Sequence, residues 1–207
     1  RFPQAMNIIL VHGIFDTGRV FWLMKRRFLR LGHKVFTPNL RPATGSASLV
    51  DLAGKLESYI EKNVPIDEDF HVLGFSMGGL ISRHYLQEMA DLKRILSFTI
   101  LSAPNNGSKL AWSLPLKGLK DMRKGSKFLK NLEQKESCLS PLEPLSIWTP
   151  FDAIILPPSS SVWRIARNEK VWVPAHPLML ISKKVFNKVE EYIQSRSNKN
   201  KSHSRNS

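Results

Sequence analysis

The pentapeptide Gly74-Phe75-Ser76-Met77-Gly78 is the feature of the sequence that most constrains the fold. It follows the short apolar run 70–73 directly and opens a stretch, 77–90, with helical spacing of apolar residues. Glycines two positions on either side of a serine allow a strand and a helix to pass close together. The pattern therefore predicts a strand, a tight turn and a helix, with Ser76 exposed at the turn as a candidate nucleophile.

Strand-like and helix-like segments alternate along the rest of the chain. The predicted strands cover residues 7–11, 34–37, 70–73, 98–101, 145–148 and 171–173. The predicted helices cover residues 20–31, 49–60, 77–90 and 178–193. This order predicts an α/β fold in which a mostly parallel sheet of about six strands is flanked by helices on both faces.

Two segments interrupt that alternation. Residues 105–143 contain no strand pattern, but short apolar clusters at helical spacing alternate with lysines. We interpret this basic insertion either as ordinary surface helices packed on the core or as a lid-like, lipid-contacting surface. The lysines concerned are Lys117, Lys120, Lys124, Lys127 and Lys130, and the apolar residues are Leu116, Leu119, Met122, Phe128 and Leu129. Residues 195–207 carry no apolar side chain, so we expect a disordered basic tail after one domain spanning 1–194.

The chain of 207 residues carries a formal net charge of +14, which suits an anionic partner. No basic motif interleaved with aromatic residues is visible, so an anionic membrane surface is favoured and a nucleic acid is not expected.

The single cysteine, Cys138, excludes an internal disulfide. Because the sequence begins at Arg1, we expect a processed or truncated chain in which a targeting segment would be invisible; a cytoplasmic or membrane-peripheral location is favoured. The oligomeric state stays open.

A phosphate-binding loop is a rival interpretation of residues 13–18, which have glycines at the spacing of that motif. The motif needs a lysine and then a serine or threonine after the second glycine. Arg19 and Val20 occupy those positions instead, so nucleotide binding is disfavoured.

A nucleophilic serine needs a histidine base and a carboxylate that orients the histidine. In a parallel α/β sheet such groups lie beyond the carboxyl ends of the strands. Asp152 follows the strand 145–148 and is therefore our candidate acid. Of the six histidines, His12 and His176 follow a strand. His12 adjoins a glycine loop, where an architectural role is expected, whereas His176 completes the chain order serine, aspartate, histidine and is our candidate base.

With these residues placed, the chain resembles the α/β-hydrolase superfamily, and is most similar to small bacterial lipases and esterases that lack a large cap. The stretches that carry the resemblance are 11–14, 74–79, 102–108, 123–129, 146–152 and 174–178. The resemblance implies Ser76 as nucleophile, His176 as base and Asp152 as orienting acid. The oxyanion N–H groups would come from Met77 and from Ile14 or Phe15, of which the motif favours Ile14.

This family pattern implies cleavage of an acyl ester of moderate to long chain through an acyl-enzyme, without a metal or organic cofactor. Lys124 stands where the family usually has proline, and Asn105-Asn106 stand where it has a histidine-containing pair. Substrate-binding residues are not identified by the sequence. A thioesterase, amidase or acyltransferase with the same triad stays open, as does a non-catalytic protein of this fold that binds a partner or an anionic membrane.

Overall fold

The structure is a computed structural model that describes residues 5–204, with side chains described for 5–199. Within that part of the chain, six strands form one parallel sheet with the order β2-β1-β3-β4-β5-β6. The strands are β1 (Asn7–Val11), β2 (Lys34–Phe36), β3 (Phe70–Phe75), β4 (Ile95–Leu101), β5 (Leu145–Trp148) and β6 (Arg167–Lys170). The predicted parallel sheet of about six strands is thus confirmed.

Helices cover both faces of the sheet because successive side chains of a buried strand point to opposite sides. The α-helices are α1 (Trp22–Arg30), α2 (Leu49–Asn63), α3 (Met77–Glu88), α4 (Lys117–Asp121), α5 (Lys127–Lys135) and α6 (Lys183–Ser204). On one face, Ile9 and Val72 pack in a core with α2, α3 and the insertion helices. On the other face, Ile8 and Leu73 pack in a core with α1 and α6.

The insertion between β4 and β5 folds as helices whose apolar sides face the protein. Helix α5 begins after Ser126, whose Oγ accepts a hydrogen bond from the Leu129 N–H at 3.1 Å; this is an ordinary N-cap. Phe128 and Leu129 are 7% exposed and Leu132 is fully buried. These side chains belong to the core that includes α2 and α3. The helices therefore pack on the core as ordinary surface helices do, and their apolar sides do not face solvent.

The last strand was predicted at the wrong residues. We expected it at 171–173, where apolar residues cluster, but β6 is the polar segment Arg167–Lys170. Strand β5 ends at Trp148, which pairs with Lys170. Among the described residues, the one further hydrogen bond to β5 runs from the Val171 N–H to the Trp148 carbonyl. An edge strand needs no apolar outer face, and polar residues are common there. Hydrophobic periodicity therefore located the buried valines rather than the strand.

The disordered tail predicted for residues 195–207 is wrong over the part that the structure describes. Helix α6 continues to Ser204, whereas residues 205–207 lie outside the described residues. Arg196 is 8% exposed and donates to a Glu143 carboxylate oxygen at 2.6 Å. The Ser197 hydroxyl contacts His71 Nε2 at 3.1 Å. The composition of this segment predicted disorder, but the segment is helical and its side chains make polar contacts with the rest of the fold. Within the described residues, no helix has the length and hydropathy needed to cross a bilayer.

Candidate active site

Ser76 lies between the end of β3 and the first residue of α3, which confirms the predicted strand, turn and helix. Its backbone has φ 54° and ψ −126°. A positive φ is unfavourable for a residue with a Cβ, by about 1–3 kcal/mol, so the surroundings must hold it there. The Ser76 N–H donates to the Leu101 carbonyl of β4 at 2.8 Å. The conformation lifts the side chain out of the strand at the carboxyl end of the sheet.

The two glycines of the turn are required by close backbone approaches. A Cβ on Gly74 would lie 2.5 Å from the Gly79 Cα, and a Cβ on Gly78 would overlap the carbonyl of Val11 in β1. No larger residue fits these positions without moving backbone. The sequence pattern thus encodes contacts between α3, β3 and β1 that fix the direction of Ser76.

His176 and Asp152 are joined by a hydrogen bond of 2.6 Å between His176 Nδ1 and Asp152 Oδ2. Both side chains are buried, at 7% and 3% exposure of the residue. The other carboxylate oxygen of Asp152 accepts the backbone N–H groups of Ile154 and Ile155 at 2.9 and 2.8 Å. Burial alone would raise the pKa of Asp152, but the hydrogen bond and charge of His176 and the two N–H donors lower it below its ordinary value. An ionised carboxylate thus orients the His176 ring, which also packs on Phe75 with ring centroids 4.7 Å apart.

Ser76 and His176 both line a cavity of about 420 Å³ at the carboxyl end of the sheet. Its apolar walls include Leu119 and Met122 of the insertion and Ile155 from the loop after β5. Asp152 is not among the lining residues, which is consistent with its place behind His176. Within the described residues, His176 Nε2 has no hydrogen-bond partner, so this nitrogen is free to exchange a proton. Ser76 and His176 therefore line one cavity, and Asp152 is hydrogen-bonded to His176 outside that lining.

The loop after β1 lies against the Ser76 side chain. A Cβ on Gly13 would be 3.0 Å from the Ser76 Cβ and 3.5 Å from its Oγ. The Phe15 N–H is already bonded to the Ala43 carbonyl at 2.7 Å, whereas the Ile14 N–H has no acceptor among the described residues. Met77 is the first residue of α3, and N–H groups of a first helical turn have no acceptor within the helix. Ile14 and Met77, rather than Phe15, thus have N–H groups available near Ser76.

His12 has the architectural contacts that we expected of it. Its Nδ1 contacts the Gly13 carbonyl at 2.9 Å, and its Nε2 accepts the Leu40 N–H at 2.9 Å. This arrangement requires a neutral ring with its proton on Nδ1. Burial is the main cause of the lowered pKa of His12, which agrees with a neutral ring. The rival phosphate-loop interpretation gains nothing from the structure, because the Gly18 N–H is occupied by Asn39 Oδ1 at 2.8 Å.

Large exposed apolar side chains surround the mouth of the cavity, and sequence reasoning missed them. We call this set the apolar rim: Phe15, Leu110, Trp112, Leu114 and Ile154, which are 71%, 41%, 62%, 50% and 43% exposed. All but Trp112 also line the cavity. Arg123 holds the segment in place: its side chain stacks on Trp112 at 4.4 Å and donates to the Ala111 and Leu114 carbonyls. The sequence analysis considered lipid contact for the apolar faces of the insertion helices, and those faces are buried.

Asp16 is a second residue that sequence reasoning did not select, and it also lines the cavity. It is half-buried, and among the described residues its carboxylate has neither a hydrogen bond nor an ion pair. The sequence feature that could have identified Asp16 is its position four residues after His12, in the same loop as Ile14.

A second buried acid–base pair lies in the packing of α3 against the insertion. Arg83 donates to Glu136 at 3.1 Å and to the Asn105 side-chain oxygen at 3.1 Å. Glu136 also accepts from Trp163 Nε1 at 2.6 Å and from Arg164. Burial lowers the pKa of Arg83 to about 10, so the guanidinium stays charged at neutral pH. Neither Arg83 nor Glu136 lines the cavity.

No group of three or more histidine, cysteine, aspartate or glutamate side chains that could hold a metal occurs among the residues described in the structure.

Comparisons with known proteins agree with the fold. A family model described as alpha/beta hydrolase fold matches residues 7–132. Among solved structures, the mature lipase BlEst2 from Bacillus licheniformis is similar, with a TM-score of 0.73 and 14% identity over 92% of this chain and 93% of that one. An extracellular alpha/beta-hydrolase from a Paenibacillus species aligns with a TM-score of 0.61 and 15% identity over 92% of this chain and 98% of that one.

Lipase B from Aspergillus fumigatus aligns with a TM-score of 0.70 and 18% identity, covering 85% of this chain and 49% of that one. At such identities these likenesses concern the fold alone. No curated protein sequence matches the chain.

Proposed function

Because the chain belongs to the α/β-hydrolase fold family, we propose that it is a serine hydrolase that cleaves carboxylic esters. The observation that supports this most is the 2.6 Å bond between His176 and Asp152 at a cavity that also contains Ser76 in its unusual backbone conformation. Ser76, Asp152 and His176 follow the chain order serine, acid, histidine that is typical of this fold, and each lies beyond the carboxyl end of a strand.

In the proposed reaction, His176 Nε2 takes the Ser76 hydroxyl proton as Oγ attacks the carbonyl carbon of the ester. The imidazolium is stabilised by the Asp152 carboxylate at Nδ1. It then gives its proton to the leaving alcohol as the carbon–oxygen bond breaks. A water molecule, deprotonated by the same histidine, attacks the acyl-enzyme, and the proton returns to Ser76 as the acid departs.

The developing oxyanion would be held by the N–H groups of Ile14 and Met77. Support comes from the absence of acceptors for these N–H groups among the described residues, and from the loop at Gly13, where an added Cβ would lie 3.0 Å from the Ser76 Cβ. Met77 adds the partial positive charge of a helix N-terminus. Donors that are already in place need no reorganisation when negative charge develops, which is why they lower the barrier effectively.

The cavity walls favour an ester with an apolar acyl chain. Leu119, Met122 and Ile155 offer contact along a cavity of about 420 Å³, within the usual range for small-molecule sites. Each methylene transferred from water to such walls contributes about 0.8 kcal/mol. Esters of medium to long acyl chains should therefore be preferred over acetates. Two of the similar solved structures, from Bacillus licheniformis and Aspergillus fumigatus, are named as lipases, which supports this preference.

The experiment is a series of p-nitrophenyl esters of rising acyl length, assayed with the wild type and with Ser76→Ala. We expect kcat/KM to rise with chain length in the wild type, and Ser76→Ala to retain its melting temperature without turnover. Hydrolysis that survives in purified Ser76→Ala would contradict the proposal. A flat chain-length profile would contradict only the acyl-chain assignment.

We further propose that the protein works at an anionic lipid surface, which the apolar rim would contact. Five large apolar side chains grouped around one cavity mouth are unusual for a surface that meets only water. Lys109 and Lys117 flank the rim segment in sequence, and both are exposed. Among the described contacts, none of the lysines at 117, 120, 124, 127 and 130 forms an ion pair. Apolar and cationic groups together suit a membrane with negative headgroups.

A further inference from the structure

The unpartnered carboxylate in the cavity is a feature that the ester chemistry does not use. Asp16 follows Phe15 in the loop after β1, and its N–H reaches back to the Gly13 carbonyl at 3.4 Å. Within the described residues, Asp16 is the one carboxylate that lines the cavity, and no lysine or arginine lines it. A half-buried carboxylate normally has a partner, because burial without one is costly.

The surroundings of Asp16 indicate which part of a substrate it would meet. The charged groups with which it interacts electrostatically are His12 and His176. His12 is neutral by its hydrogen bonds, so the relevant partner is His176. In ester cleavage the leaving alcohol receives its proton from the base, and therefore lies beside His176. Asp16 and His176 line the same cavity, so the Asp16 carboxylate can meet the alcohol part of an ester whose leaving oxygen lies beside His176.

We propose that Asp16 is a specificity-determining residue that binds a hydrogen-bond donor or a cation on the alcohol part of the ester. This inference rests on the proposed esterase function and narrows its substrate class to esters of hydroxyl-bearing or ammonium-bearing alcohols. A hydrogen bond with one ionised partner is about twice as strong as a neutral one, so a single donor suffices for selection. Burial is the main cause of the raised pKa of Asp16, and a hydrogen-bond donor or cation beside the carboxylate would lower that pKa.

The test compares three esters with the same octanoyl chain: propyl octanoate, 1-octanoylglycerol and octanoylcholine. The first alcohol offers neither a donor nor a charge, the second offers hydroxyl donors, and the third offers a charge without an N–H. For each, kcat/KM is measured in the wild type and in Asp16→Asn, which keeps the shape and removes the charge. Asp67→Asn is the matched control, since Asp67 is an exposed loop carboxylate before β3, at the opposite end of the sheet.

We expect Asp16→Asn to lower the ratio of kcat/KM for the glycerol ester over the propyl ester about tenfold, a change of about 1.4 kcal/mol. A parallel fall in the choline-to-propyl ratio would show that charge dominates; a fall for glycerol alone would show that the donor dominates. Asp67→Asn should leave both ratios unchanged.

An equal loss on all three esters in Asp16→Asn would overturn the inference, because Asp16 would then act through His176. Unchanged ratios and rates would overturn it as well. In either case turnover of propyl octanoate by the wild type would leave the esterase proposal intact. Failure to cleave any of the three esters would instead count against the proposed function itself.

Discussion

Two buried acid–base pairs in this molecule use similar chemistry in different surroundings. Asp152 and His176 are 2.6 Å apart, and Arg83 and Glu136 are 3.1 Å apart. All four side chains are at most 8% exposed. The Glu136 carboxylate is surrounded by donors, including Trp163. His176, in contrast, lines a cavity that Ser76 also lines, and among the described contacts its Nε2 has no hydrogen-bond partner.

The comparison shows that burial and ion pairing alone do not identify a reactive group. Breaking either pair leaves a buried charge or polar group without a partner, which costs free energy in both places. Only the pair beside the cavity has an atom available to a substrate. We therefore expect substitutions at Asp152 and His176 to affect catalysis, and substitutions at Glu136 to affect stability.

The largest expected effect is on turnover in His176→Ala. Removal of the base should lower kcat by about four to six decades, almost as much as Ser76→Ala, because nucleophile and base act as one unit. The double variant Ser76→Ala/His176→Ala should be little worse than either single one. Steady-state kinetics on a p-nitrophenyl ester provide the measurement, with melting temperatures as the folding control. If His12→Ala abolished turnover in a folded protein while His176→Ala did not, the base would be misassigned.

A smaller loss is expected for Asp152→Asn, about two to four decades in kcat, because the acid orients His176 and does not carry the proton. The amide can still accept the Ile154 and Ile155 N–H groups through its oxygen, so the loop should keep its shape. The comparison of kcat with KM is informative here, since an orienting role predicts that KM changes little. A variant with wild-type kcat would remove Asp152 from the mechanism.

Glu136→Gln should change stability rather than chemistry. Removing one charge from a buried pair typically costs about 3–5 kcal/mol, which for a chain of this size lowers the melting temperature by roughly 10 °C. Glu68→Gln is the matched control, because the Glu68 and Lys34 side chains, which form an ion pair, are 35% and 60% exposed. Exposed pairs contribute about 0–1 kcal/mol. Equal losses in the two variants, by thermal unfolding, would refute the difference drawn between these regions.

The smallest expected effect is a loss of vesicle binding when the lysines of the insertion are replaced. Glutamine at positions 117, 120, 124, 127 and 130 should weaken binding to anionic vesicles at least tenfold, since each basic residue near such a surface contributes about 1 kcal/mol. The control removes the same number of charges from other exposed sites: Arg26, Lys62, Lys93, Lys183 and Lys184. Co-sedimentation at two salt concentrations gives the measurement, because screening weakens the interaction. Equal binding of the wild type to neutral and anionic vesicles would contradict a role of these lysines in binding anionic surfaces.

Local sequence patterns were sufficient to predict the fold and to select Ser76 and His176, which line one cavity, and Asp152, which bonds to His176. The strand, glycine turn and helix around Ser76 are encoded within about ten residues, and Asp152 and His176 follow from strand ends in a parallel sheet. Contacts between distant segments were not predictable in this way. Arg83 and Glu136 are 53 positions apart, and neither position is unusual in its own neighbourhood.

The errors have the same origin. Strand β6 has polar residues because one of its edges is open, so hydrophobic pattern missed it. The rim residues Leu110 and Leu114 were not selected because exposure of an apolar side chain depends on how the insertion packs. Asp16 was not selected because only the folded loop places its carboxylate in the cavity without a partner. Helix α6 continued past Ile193 through polar contacts that periodicity does not report.

The central claim is that a free reactive atom at the cavity distinguishes the catalytic pair from the structural one, and covalent labelling tests it most directly. A fluorophosphonate should label Ser76 in the wild type. It should label Ser76 at a similar rate in Glu136→Gln, at a temperature below the melting temperature of that variant. It should not label His176→Ala, although that variant is folded. Mass spectrometry of the adduct identifies the labelled residue. Labelling at another residue, rapid labelling of His176→Ala, or loss of labelling in folded Glu136→Gln would contradict the account.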